Sequence, residues 1–189
     1  MIIALKDKDS VWIGVSAEKS YNGIHTNDII HEDNLNMWRM EGAPDCIIAS
    51  LHVGGIDLDR LRYTKDIGLS SELNQKNLIE NVIPRIKDLF HECGMFDGKE
   101  GWQTLVIARE SRAFMISSTF ECTEIEDFDI YGKRDAENVA YGAMLAYNNL
   151  PPAERIAEAV RVVEKMRGAK HFPVVVMNTK EKDRIVIYE

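Results

Sequence analysis

The sequence predicts an α+β protein of two antiparallel sheets stacked face to face, with a helical layer outside each: a four-layer αββα sandwich. Three observations carry this. The strand-like runs come in hairpins, which favours antiparallel pairing. Helical periodicity is confined to two blocks, residues 56–93 and 135–168, and does not alternate with the strands. Stacking the sheets and covering each with one helical block uses every apolar face.

Residues 2–6 and 11–17 are rich in Ile and Val, and the charged Asp7-Lys8-Asp9-Ser10 between them marks a hairpin. "LNMWRM" (35–40) and "CIIASLHV" (46–53) flank the Gly/Pro turn "EGAPD", and Gly54-Gly55 ends the second strand. A short helix is expected over 56–63. From Asn74 to Cys93, Leu78, Ile79, Val82, Ile83, Ile86, Leu89, Phe90 and Cys93 recur every three or four residues, giving one apolar helical face. Pro84 should kink that helix, because it lacks an N–H and crowds the carbonyl of Glu80; Gly94 is the expected stop. "WQTLVIARE" (102–110), "AFMISST" (113–119), "FECTEIED" (120–127) and "FDIYG" (128–132) read as consecutive strands. Asp135 is the expected N-cap of a helix with Val139, Ala140, Ala143, Met144 and Tyr147 inward. Pro151-Pro152 opens another, with Ile156, Val160, Val163 and Met166 inward and Gly168 as terminator. "PVVVMN" (173–178) and "RIVIYE" (184–189) close the chain as a hairpin.

The 189 residues suit a single domain, 1–189, with no repeat or linker to divide it. The net charge of −8, with Lys and Arg interleaved among acids, argues against a nucleic-acid partner. Cys46, Cys93 and Cys122 are odd in number and irregularly spaced, so buried thiols in a reducing compartment are expected rather than a disulfide framework. No apolar run reaches the ~18–20 residues of a membrane span. Lys6-Asp7-Lys8-Asp9 interrupts any signal-peptide core. A cytoplasmic protein is the expectation.

Three stretches carry a family resemblance. "MIIALKDKDSVWIGVSAE" resembles the opening hairpin of proteasome β-type subunits and of their bacterial relatives, the proteolytic subunits of the HslUV protease. "NMWRMEGAPDCIIASLHVGG" resembles their next strand pair. "TLVIARESRAFMISSTFECTEIEDFDIYGKRDAENVAYGAMLAYNNLPPAERIAEAVRVVEKMRG" resembles their three strands, Gly-containing loop and two small-residue-rich helices. Over residues 54–100 that family has two long helices, where this chain has room for one and a shortened piece. The resemblance implies the sandwich of the N-terminal nucleophile hydrolases, and an N-terminal Thr that attacks a peptide carbonyl with its own α-amine as base. It places the family's active-site positions at Met1, Ser16, Asn36 and Lys133. Met1, at or just after the nucleophile position, has a thioether, which has no proton to lose. Ser16 stands where the family has an Asp. Asn36 stands where a Lys would lower the proton affinity of the amine by charge repulsion. Lys133 of "GKRD" replaces the Ser of a Gly-Ser-Gly loop. With all four changed, the resemblance implies the frame without the usual chemistry: an inactive binding or assembly subunit, homo-oligomeric as a dimer or a ring. If active, the chain would be an N-terminal nucleophile-type peptidase or amidohydrolase.

Other chemistry competes with blander readings. "GVSAE" imitates half a nucleophile elbow around Ser16 but lacks the second Gly. Ser50 and His52 share a strand face, with Asp57 near in sequence, so a relocated Ser/His unit is one reading and a polar strand face the other. Cys46 reads as core packing. The five histidines show no chelating spacing, so neither metal nor cofactor is expected. Lys133 and Arg134 before a helix start could hold a small anionic ligand in the former cleft, or form a solvated turn.

Overall fold

The computed structural model describes residues 1–16, 18–21, 24–29, 36–51, 56–69, 72–92, 104–132, 134–168, 173–181 and 185–188; for 18–21, 24–29, 56–59 and 185–188 it describes backbone alone. Two five-stranded antiparallel sheets form the centre. The first has the order β10-β1-β2-β11-β12, from β1 (Ile2–Asp7), β2 (Ser10–Ser16), β10 (Phe128–Tyr131), β11 (Val174–Asn178) and β12 (Ile185–Tyr188). The second has the order β5-β6-β7-β8-β9, from β5 (Met37–Met40), β6 (Ala43–Ser50), β7 (Leu105–Arg109), β8 (Arg112–Ile116) and β9 (Cys122–Glu124). A separate pair, β3 (Glu18–Tyr21) and β4 (Ile24–Ile29), follows β2.

Strand alternation sorts the apolar side chains into three cores. Ile2, Ala4, Ile13 and Val15 meet Met37, Ile47, Ala49 and Val106 between the sheets. Trp38, Ile48, Ile107 and Phe114 face outward from the second sheet onto Leu61, Val82, Ile86 and Phe90. Those belong to the layer of α1 (Ile56–Tyr63), α2 (Gln75–Asn77), a π turn (Leu78–Val82) and α3 (Ile83–Glu92). Ile3, Leu5, Val174 and Val176 face outward from the first sheet onto α4 (Arg134–Ala146) and α5 (Pro152–Met166). The expected αββα layering is therefore the observed one. Gly14 on β2 is a point of close approach, since a Cβ there would collide with Ile156 Cγ2 on α5.

Several expectations are corrected. The π turn runs without a break into α3, and Pro84 is the second residue after it, inside one continuous helical run from Gln75 to Glu92. The turn stands directly before the proline that was expected to kink the helix. It also adds a residue to one turn and shifts the phase of the helix, leaving Ile79 half exposed rather than inward. Met166 is likewise exposed, at the last residue of α5. The third strand of the middle block contracts to Cys122–Glu124. Helix α4 begins at Arg134, so Asp135 lies inside its first turn rather than capping it. Cys93 and Gly94 lie outside the described residues. Cys46 is in the core as expected, and burial pushes its thiol up to about 12.

Candidate functional site

One end of the sandwich fixes the geometry of the other. At the first end, Arg39 of β5 donates to the carbonyls of Pro44 (3.2 Å), Asn178 (2.7 Å) and Glu181 (2.8 Å), tying the second sheet to the end of β11. Thr179 Oγ1 donates to the carbonyl of Glu110 in the β7–β8 turn and accepts from the Val11 N–H on β2. From this clamp β2 runs from Val11 to Ser16 and β6 from Pro44 to Ser50. At about 3.3 Å per residue, both chains travel roughly 17–20 Å and arrive at the opposite end.

That opposite end collects the positions singled out in the sequence. Ile2 pairs with both Val15 and Tyr131, so Met1, Ser16 and Gly132 follow in register. Gly132 confirms the proximity: a Cβ there would lie 3.5 Å from Met1 Cγ and 3.6 Å from Met1 Cβ. On the second sheet, Asn36 and Ser50 exchange backbone and side-chain bonds. The Ser50 N–H donates to the Asn36 carbonyl (2.7 Å), and Asn36 Nδ2 donates to the Ser50 carbonyl (2.8 Å). This second bond dictates the amide orientation and leaves Oδ1 as the unused acceptor. Among the described residues, Ser16 Oγ and Asn36 Oδ1 are buried without a hydrogen-bond partner.

Alternation divides these groups between the two sheets. Val15 faces the inter-sheet core, so Ser16 shares the opposite side with Trp12, towards α5, where Met1 also packs. Ala49 faces the inter-sheet core, so Ser50 lies towards α1–α3. Ser50 has no exposed surface, which closes its hydroxyl to substrate in this conformation. Its expected companion His52, and Asp57 as a side chain, lie outside the described residues, as does Lys133.

The end of β10 and the first turn of α4 hold two groups that sequence reasoning passed over. Glu137 Oε1 accepts the Gly132 N–H at 2.8 Å, so the chain's own carboxylate sits at the start of α4. An acidic residue in a first helical turn was the available signal. Tyr131 donates from its hydroxyl to Asp129 Oδ2 at 2.7 Å; burial, then that carboxylate, push its phenol well above the usual range. Tyr131 therefore stays protonated at neutral pH. Arg134 is exposed at the first residue of α4. Among the described residues no cluster of three metal-ligating side chains occurs, and no helix is long and apolar enough to cross a membrane.

No protein-family model matches the chain, and no curated protein matches it in sequence. Solved structures do match. Thiobacillus denitrificans BPH superposes with a TM-score of 0.74 at 16% identity, over 94% of this chain and 96% of that one. The same protein in complex with epoxomicin gives 0.75 at 16% identity and the same coverage. Eukaryotic HslV from Trypanosoma brucei gives 0.63 at 12% identity, over 94% and 97%. With so few identical residues and nearly complete mutual coverage, the likeness is one of architecture: this chain has the proteasome/HslV-like sandwich fold.

Proposed function

We propose that this chain is a proteasome-subunit-like protein, one unit over its whole length, that lacks the N-terminal threonine chemistry and acts as a self-associating binding or assembly subunit. One observation carries the reading. The side chain packed against Gly132 at the polar end is the thioether of Met1, which can neither attack a carbonyl nor share a proton. The uncharged Ser16 fits it, since it cannot tune an adjacent amine by charge.

Intact-mass spectrometry of the purified protein, with and without epoxomicin, tests this. Epoxomicin is the compound held by the BPH neighbour. The expected result is a chain with no Thr, Ser or Cys at its mature N-terminus and no adduct. A single stoichiometric adduct would overturn the reading in favour of a hydrolase. Mapping the adduct to Ser16 would then identify a relocated nucleophile. Binding of a small anion through Lys133 and Arg134 is a weaker reading, because Glu137 already occupies the Gly132 N–H beside them.

A further inference from the structure

A groove of about 520 Å³ opens where α4 turns into α5, lined by Tyr147, Asn149, Leu150, Glu154, Glu158 and Arg161. The three α5 residues recur at spacings of four and three, so they share one face of that helix. Arg161 engages Oε1 of Glu158 at 2.5 Å. Glu154 is exposed in the first turn of α5 and makes no ion pair among the described residues. Tyr147 and Leu150 are half-buried, and Tyr147 packs on the core beneath the two helices. The end of α4 supplies a second, independent attraction for positive charge. A helix C-terminus carries unpaired carbonyls and a partial negative charge. The last turn of α4 contains no basic residue to offset it. That end already draws one cation from elsewhere: Arg155 Nε donates to the Met144 carbonyl at 2.8 Å. The same guanidinium lies over the ring of Phe128, so it is committed there.

Charge and shape together select the occupant. An unpartnered carboxylate, a helix end without a cation and an aromatic ring each favour an ammonium group. Glu158 lies one turn beyond Glu154, about 6 Å along the axis, a distance that three or four methylenes span. Arg161 engages one oxygen of Glu158 and leaves the other as an acceptor. Between the charges, Tyr147 and Leu150 offer carbon for a hydrocarbon chain to lie on. We propose that this groove is a binding site for a small aliphatic polyammonium ion. One ammonium sits between Glu154 and the carbonyl end of α4, the methylenes cross Tyr147 and Leu150, and a second ammonium meets Glu158. The site is complete within one chain, and it goes beyond the assembly reading without depending on it. Its charges are partly exposed, so binding should be weak and sensitive to salt.

Titration of the full chain with spermidine, followed by backbone amide shifts in NMR, is the test. Saturable shifts should be confined to the α4–α5 turn and the first turns of α5. Glu154→Gln should weaken binding by about threefold to fivefold, and Glu154→Lys by about tenfold or more. Thermal unfolding of both variants should match wild type, since Glu154 is exposed. Glu80→Lys, at an exposed position on the other helical layer, should leave binding within about twofold. Absence of saturable shifts at millimolar spermidine would overturn the site. So would equal weakening by Glu80→Lys and Glu154→Lys, because binding would then be diffuse attraction to the net charge of −8. n-Butylamine, with a single ammonium, should bind more weakly than spermidine; equal affinity would overturn the two-carboxylate arrangement.

Discussion

The two ends of the sandwich are built on opposite principles. At the clamped end several polar groups are matched, although Trp12 Nε1, beside Val11, is buried without a hydrogen-bond partner among the described residues. Thr179 both donates and accepts, Arg39 serves three carbonyls, and Asn178 Oδ1 accepts the N–H groups of Lys180 and Glu181. Ion pairs gather there too: Arg109 with Asp45 at 2.8 Å, Arg112 with Glu124 at 2.7 Å, and Lys180 with Asp9. At the polar end, Ser16 Oγ and Asn36 Oδ1 are buried with no partner among the described residues. An unmade hydrogen bond of this kind costs about 1–3 kcal/mol. The clamp joins the two sheets directly, through Arg39 to the Asn178 carbonyl and Thr179 to the Glu110 carbonyl.

The largest effect expected from this contrast is at Thr179. Thr179→Val keeps the shape but removes both bonds, leaving the Val11 N–H and the Glu110 carbonyl unmatched at a buried position. Urea unfolding should show a loss of about 3 kcal/mol. The matching change at the other end, Ser16→Ala, removes a hydroxyl that has no hydrogen-bond partner among the described residues. It should shift stability by less than about 0.5 kcal/mol, or increase it. If the two variants lose comparable stability, Ser16 is satisfied in solution and the contrast between the ends collapses.

The legible part of the molecule is the part with local causes. Hairpins such as β1–β2 were legible because Ile and Val cluster on both sides of a charged turn; the register then showed a two-residue turn, with Lys8 at φ 50°. The pair β3–β4 was not read, because "EKSY" and "IHTNDI" are mostly polar and lack clean alternation. Ile79 was misplaced because its exposure depends on the π turn, which no periodicity argument anticipates. At the polar end, the resemblance supplied Met1, Ser16 and Asn36; register sets Met1 beside Ser16, while Asn36 lies on the other sheet against Ser50. The bond from Asn36 to Ser50 links residues fourteen apart through sheet pairing, so no local pattern records it. Thr179, in a stretch that reads only as a hairpin turn, gave no sign that it joins the two sheets.

The smallest effect sharpens the contrast through pH. Glu124 accepts two bonds from the Arg112 guanidinium, and that hydrogen bonding holds its carboxyl below its usual 4.5. A lowered folded-state value means the pair contributes stability above the unfolded glutamate range. That contribution disappears as pH falls through the folded-state value. Because the Glu124 side chain is 28% exposed, it should amount to less than about 1 kcal/mol. The stability gap between wild type and Glu124→Gln, read from urea midpoints, should therefore be small at pH 7 and close on acidification below the glutamate range. Ser16→Ala should show no such dependence on acidification, since that hydroxyl has no carboxylate hydrogen-bond partner among the described residues. A gap between wild type and Glu124→Gln that stays constant with pH would mean the Arg112 pair adds nothing to the clamped end. The difference between the two ends would then rest on the other contacts of the clamp, those of Thr179 and Arg39 foremost.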